Sequence, residues 1–279
     1  MTTTLTAPTG RHAAEAAPIP EVSNHIPFKQ TVANSFTMAY RGILKIKHNP
    51  EQLFDVTVQP ILFTALFAGI FGGAIAHSVS GYLPILIPGL LVQTVVLTSV
   101  VTGTQMREDM DKGVFDRFKS LPIARISALA GALLADMVRY GLATVLTIGM
   151  GMVLGYRPHG GFIAVVVAGL LVVFCSFAVS WIWALVGITG KSAAAVQGIS
   201  MMIMFPLTFM SGAFAPVSTM PGWLQGIDKV NPIYYMVNAA RELMNDNIYS
   251  HNLVYSIIGS VLVIVIFAPL AVKAYMRRA

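Results

Sequence analysis

Six stretches of the chain run on almost without charge: residues 56–76, 82–105, 126–154, 162–187, 195–216 and 252–272. Each is at least 21 residues long, and only the third carries charges, Asp136 and Arg139. A helix of about 20 residues crosses about 30 Å of hydrocarbon. The runs therefore predict an all-α polytopic membrane protein with six transmembrane helices. Composition points the same way, with 11% of the 279 residues charged and 56% hydrophobic, where soluble domains carry about 25% charge. Such a chain lacks the polar surface to cover a soluble core. This excludes an ordinary cytosolic enzyme, a disordered chain and a nucleic-acid binder. The net charge of +6 comes from basic residues scattered between apolar runs, not from a basic patch.

The flanking segments add detail. Residues 1–26 are rich in Thr, Ala and Pro and lack an apolar core, which predicts a disordered tail and no signal peptide. In residues 27–48, Phe28, Val32, Phe36, Ala39, Tyr40 and Ile43 recur at helical spacing, with Gln30, Asn34, Thr37, Arg41 and Lys45 opposite. That pattern predicts an amphipathic helix lying on the membrane surface. The fifth run extends to 36 charge-free residues, Ser192 to Ile227, about 54 Å as a straight helix and too long for one span. Its Pro206, Gly212, Pro216, Pro221 and Gly222 predict a helix ending near Pro216, followed by short interfacial segments anchored by Trp223, Leu224 and Ile227. With the N-terminus inside, 14 of 18 basic residues fall on the inner side and 3 outside. The positive-inside rule then places both termini in the cytoplasm.

Residues 106–125 hold nine of the thirty charges, including Glu108, Asp109, Asp111 and Asp116. Topology needs the basic residues there but not the acids. Val114, Phe115, Phe118 and Leu121 add an apolar face at helical spacing, as would suit docking on a soluble partner. A solvated loop that only fixes topology fits the bare pattern equally well.

Asp136 and Arg139 share a helix face, and Asp136 falls about 15 Å into its span, near mid-bilayer. They read either as groups lining or gating a transport route, or as a mutually neutralised pair between helices. Met201, Met202, Met204, Phe205, Phe209, Met210 and Phe214 offer flexible apolar surface that suits a hydrophobic or amphipathic ligand, or ordinary packing. Gly190-Lys191-Ser192 imitates the end of a nucleotide-binding loop, but Leu185 stands where its first glycine belongs. The six histidines are dispersed, so no metal site is expected. Cys175 sits in an apolar run and reads as a small buried hydrophobe.

The ordered set of these stretches resembles the membrane subunit of type-2 ABC exporters, most closely the daunorubicin/doxorubicin-resistance permeases. The resemblance rests on residues 108–125 with Gly113 and Leu121-Pro122, on Pro206 to Pro216, on Met220 to Leu224, and on Asn231-Pro232-Ile233-Tyr234-Tyr235 with Ala240-Arg241-Glu242-Leu243. It implies a connecting helix at 27–48, a six-span domain at 49–279, and a re-entrant outer segment at 217–251. It also implies an ATPase-coupling segment of Glu108, Asp111, Val114, Phe115, Phe118 and Leu121, with the two phenylalanines as anchors. ATP and Mg would be bound by a separate ATPase subunit, so the chain itself is no enzyme and carries no cofactor. Further partners would be a second permease copy or related permease, membrane lipids and a small hydrophobic substrate. Asp136, Arg139, Met202, Phe205, Phe209 and Met210 would contribute to the substrate path. The implied activity is drug export across a bacterial cell membrane. Export of a lipid or polysaccharide, or ATPase-independent transport, are the alternatives.

Overall fold

The computed structural model describes residues 28–47, 50–114 and 125–278. Among them the elements are helices α1 (Phe28–Lys47), α2 (Pro50–Ala76), α3 (Val79–Asp111), α4 (Arg125–Val153), α5 (Gly161–Thr189) and α6 (Ala193–Phe209). A 3-10 turn (Val217–Thr219) follows, then α7 (Gly222–Asp228), α8 (Pro232–Asp246) and α9 (His251–Arg278). No strand forms among the described residues. The bundle has a basic end, with Arg107, Lys112, Lys191 and Lys273, and a far end where α2 meets α3, α4 meets α5, and the end of α8 meets Gly160.

Helix α3 is the mast. Its 33 residues span about 50 Å, and it packs against α2, α4, α5, α6 and α8. A helix apolar all round has no preferred face to expose and is buried on every side. Accordingly 83% of its most apolar stretch is buried, against 11% for α9 at the rim. Close approach is made possible by glycine where backbones touch. A β-carbon on Gly103 would lie 2.7 Å from the Trp183 carbonyl, and one on Gly187 2.2 Å from the Gly103 carbonyl.

Among the described residues, five helices are long and apolar enough to span a membrane. The sixth apolar helix, α6, has 17 residues, about 26 Å, and stops at Phe209 rather than near Pro216. Met210 caps it, and Gly212 adopts φ +75°, a left-handed conformation that reverses the chain. The reversed segment folds back until Ala213 meets Gly89, ten residues into α3. Pro206 sits within α6 without ending it.

Helix α1 forms over nearly the expected residues. Ser35 and Ala39 are buried against α4, where a β-carbon on Gly131 would lie 2.4 Å from that of Met38. Small residues win that contact because they let the two backbones approach. Phe36 and Tyr40, each 63% exposed, point away.

Candidate functional site

Two neighbouring helices present a continuous aromatic face. On α2, Phe63, Phe67 and Phe71 recur every four residues, with Phe67 and Phe71 stacked at 5.5 Å. The turn after α6 brings Phe214 onto Phe67 at 4.5 Å, and Phe214 meets Phe209 at 4.9 Å. Phe209 stacks on Phe205 at 5.3 Å. Six rings thus join α2 to α6. Phe205, Phe209 and Met202 remain 48%, 42% and 71% exposed, so this face is open to whatever lies beside it. Met210 is half-buried at the helix cap. Phe63, Phe67 and Phe71 were legible as an i, i+4, i+8 repeat, but only the fold shows that Phe214 bridges them to α6.

Asp136 and Arg139 lie elsewhere, inside the bundle. Arg139 Nη1 donates to Asp136 Oδ1 at 2.8 Å, with both residues at least 96% buried. Thr102 Oγ1 of α3 donates to Asp136 Oδ2 at 2.5 Å and lies 3.0 Å from the Tyr140 hydroxyl. Gln105 Oε1 accepts from Arg139 Nη1 at 3.2 Å. The pair is thus hydrogen-bonded on several sides, as a buried charge requires. Thr102 adjoins Gly103, and Gly103 packs on Gly187, two residues before α5 ends. The pair therefore lies level with the basic-end half of α3 and the last turns of α5.

At that end, Glu108 and Asp111 form the last turn of α3 rather than a separate helix. Arg107 pairs with Asp111, and Lys112 Nζ pairs with Glu108 at 3.2 Å. Lys112 caps the helix, Gly113 follows with φ +64°, and Val114 is half-buried. Phe115, Phe118 and Leu121 lie outside the described residues, as does the tail 1–26. Arg107 Nη1 also donates to the Gly190 carbonyl at 3.1 Å, tying α3 to the α5–α6 loop. Gly190-Lys191-Ser192 is thus a helix-to-helix turn, in which Ser192 Oγ caps α6 by accepting from the Ala195 N–H at 3.2 Å.

The far end is laced by α8. Pro88 has no N–H, so the Pro84 carbonyl loses its helical donor; Asn245 Nδ2 supplies one at 2.8 Å. Arg241 Nη2 donates to the carbonyls of Ile85 and Gly212 at 3.2 and 2.9 Å. Burial lowers the Arg241 pKa, and the neighbouring Glu242 opposes that shift. Asn231 caps α8 and donates through Nδ2 to the Leu207 carbonyl at 2.7 Å. From there α8 runs back along α5, until the Gly160 N–H donates to the Met244 carbonyl at 2.9 Å. Tyr156 donates to Asn245 Oδ1 at 2.7 Å. None of these clamps was legible in the sequence beyond the motif residues themselves.

The ABC-2 type transporter family matches residues 34–245. The chain is similar to the daunorubicin resistance ABC transporter permease protein DrrB1 of Streptomyces coeruleorubidus, with 40% identity over 247 residues covering 88% of this chain and 87% of that protein. It is also similar to the probable doxorubicin resistance ABC transporter permease protein DrrC of Mycobacterium tuberculosis, 25% identical over 152 residues, or 53% of this chain and 55% of that one.

Proposed function

The chain belongs to the ABC-2 type transporter family, and we propose that it is the permease subunit of an ATP-driven exporter of hydrophobic or amphipathic drugs. The 40% identity to a daunorubicin resistance permease over most of both chains carries the substrate class. The open aromatic face of α2 and α6 suits a flat apolar cargo, because aromatic rings stack on one another and thioethers such as Met202 adapt to varied shapes.

In this reading the basic end is cytoplasmic in a bacterial cell membrane, both termini lie there, and α6 is the fifth of six spans. The turn at Gly212 and the return of α8 along α5 form a re-entrant outer segment, supported by the Ala213–Gly89 contact. A separate ATPase binds ATP and Mg and docks on the segment after α3, with Phe115, Phe118 and Leu121 as its apolar anchors. Glu108 and Asp111 stiffen the helix end that receives the push. Arg107 passes that displacement to the loop that starts α6. A second permease copy faces the exposed sides of α2 and α6, so that the two aromatic faces enclose the path and shift when the ATPases close. Asp136 and Arg139 hold α3 to α4 as the bundle moves and do not touch cargo.

Vesicles containing this chain with a co-expressed ABC ATPase test the function. Daunorubicin transport that requires both proteins and hydrolysable ATP is expected. Transport by the permease alone, driven by an ion gradient, would assign it to secondary transport.

A further inference from the structure

Helices α2 and α6 both pack on α3 but not closely on one another, so a strip of α3 forms the floor between the two aromatic walls. Gln93, Leu97, Val101 and Thr104 lie on that strip, spaced by three or four residues and so on one face of the helix. The level of Gln93 is fixed from both sides. Ala213 meets Gly89 of α3, and the neighbouring Phe214 stacks on Phe67 of α2 at 4.5 Å. One turn nearer the basic end, α3 carries Gln93, α2 carries Phe63, and α6 ends at Phe209. The floor opens in that direction. From Leu86 to Gly103, Val101 alone is not fully buried, and Thr104 beyond it is half-buried.

Gln93 is the odd residue on this floor. It is 4% exposed, and its Oε1 is buried with no hydrogen-bond partner among the described residues. The Thr104 hydroxyl, by contrast, donates to the Val101 carbonyl at 2.9 Å. A threonine can give its proton back to its own helix. A carboxamide oxygen can only accept, and the backbone N–H groups of a helix interior are already committed. A buried acceptor without a donor is costly to the fold, whereas an apolar side chain of the same shape carries no such penalty. A donor that arrives from outside the chain removes the penalty.

We propose that Gln93 selects cargo: its Oε1 accepts a hydrogen bond from a hydroxyl group on a flat apolar ring system seated among Phe63, Phe67, Phe205, Phe209 and Phe214. This role rests on the aromatic face being the cargo path. In the resting form the oxygen is shut in, and cargo reaches it when α2 and α6 part on α3. Cargo with a donor favours the parted form, because it satisfies an acceptor that the closed form leaves unmet, and such differential contact is what shifts an equilibrium between two states. Rings alone would admit any flat hydrocarbon. The carboxamide makes the path prefer hydroxylated ones, since a cargo without the donor leaves the buried oxygen unpaired.

The permease with its co-expressed ABC ATPase, in nanodiscs under ATP turnover, is offered two tritiated flat probes of matched size, 2-hydroxyanthracene and 2-methylanthracene. Binding is read by scintillation proximity, with empty nanodiscs correcting for partition into lipid. The parent should bind the hydroxyl probe about fivefold more tightly, the yield of one net hydrogen bond. Gln93→Met should erase that preference by weakening the hydroxyl probe alone. Its thermal unfolding temperature should match or exceed the parent's, because an unmet acceptor is removed. Gln93→Leu is the second variant. Phe205→Ala/Phe209→Ala should weaken both probes alike and keep the preference. Equal affinities in the parent, or a preference that survives both Gln93 variants, overturns the role of Gln93, while a response to the two phenylalanines still upholds the cargo face. Affinities that ignore the two phenylalanines overturn the cargo face, and the role of Gln93 with it.

Discussion

Two cations sit within this bundle, Arg139 buried and Arg241 half-buried, and they are satisfied in different ways. Arg139, in the basic-end half, faces the carboxylate of Asp136, with Thr102 and Gln105 completing the site. Arg241, at the far end, is held by the carbonyls of Ile85 and Gly212 and by Asn238 Oδ1 at 3.4 Å. The first arrangement cancels charge and locks α3 to α4. The second supplies donors to carbonyls of a proline-containing helix and of the turn at Gly212. Hydrogen bonds from Thr102 and Gln105 to an ion pair within α4 tie two long helices together; carbonyl capping fixes irregular backbone, which in a membrane protein survives only where something satisfies it.

The largest effect is expected from Asp136→Asn, which strands Arg139 in the interior. Removing one partner of a buried pair costs about 3–5 kcal/mol, so folded yield in detergent should collapse. The double variant Asp136→Asn/Arg139→Gln removes both charges and should recover most of that yield. No recovery would mean that Arg139 is not held by Asp136. At the far end Arg241→Gln should cost about 1–3 kcal/mol, the penalty for leaving buried acceptors unmet. Limited proteolysis should find the turn at 210–216 opened before the rest of the bundle. Asp228 extends the comparison to a charge with no partner. It is 1% exposed, and neither carboxylate oxygen has a hydrogen bond among the described residues. Burial raises its pKa, so folding favours its protonated form. Its contribution to stability is therefore greatest below the ordinary carboxylate value of about 4 and is lost as pH rises through the raised value. Asp228→Asn should flatten the pH dependence of unfolding and raise stability at neutral pH, the smallest of these effects.

The spans were legible because hydrocarbon imposes length and apolarity directly. So was the shared face of Asp136 and Arg139, since three residues make one turn. The end of α6 was misplaced by several residues, because the reversal depends on the backbone of Gly212 rather than on Pro216. The close approach of α1 to Gly131 through Ser35 and Ala39 follows only from tertiary packing. Partners from distant segments, such as Thr102 for Asp136 or Asn245 for the Pro84 carbonyl, follow only from tertiary packing.

If cargo travels along the aromatic face of α2 and α6, as proposed above, the Asp136–Arg139 pair serves only to hold the bundle. ATP-driven daunorubicin efflux per folded molecule, compared between Phe205→Ala/Phe209→Ala and Asp136→Asn/Arg139→Gln, tests it most directly. Efflux should fall about tenfold in the first, the loss of about 1.4 kcal/mol that a stacked aromatic pair supplies, and stay near the parent rate in the second. The reverse outcome, with efflux lost in the neutralised pair and kept in the aromatic variant, would contradict the claim.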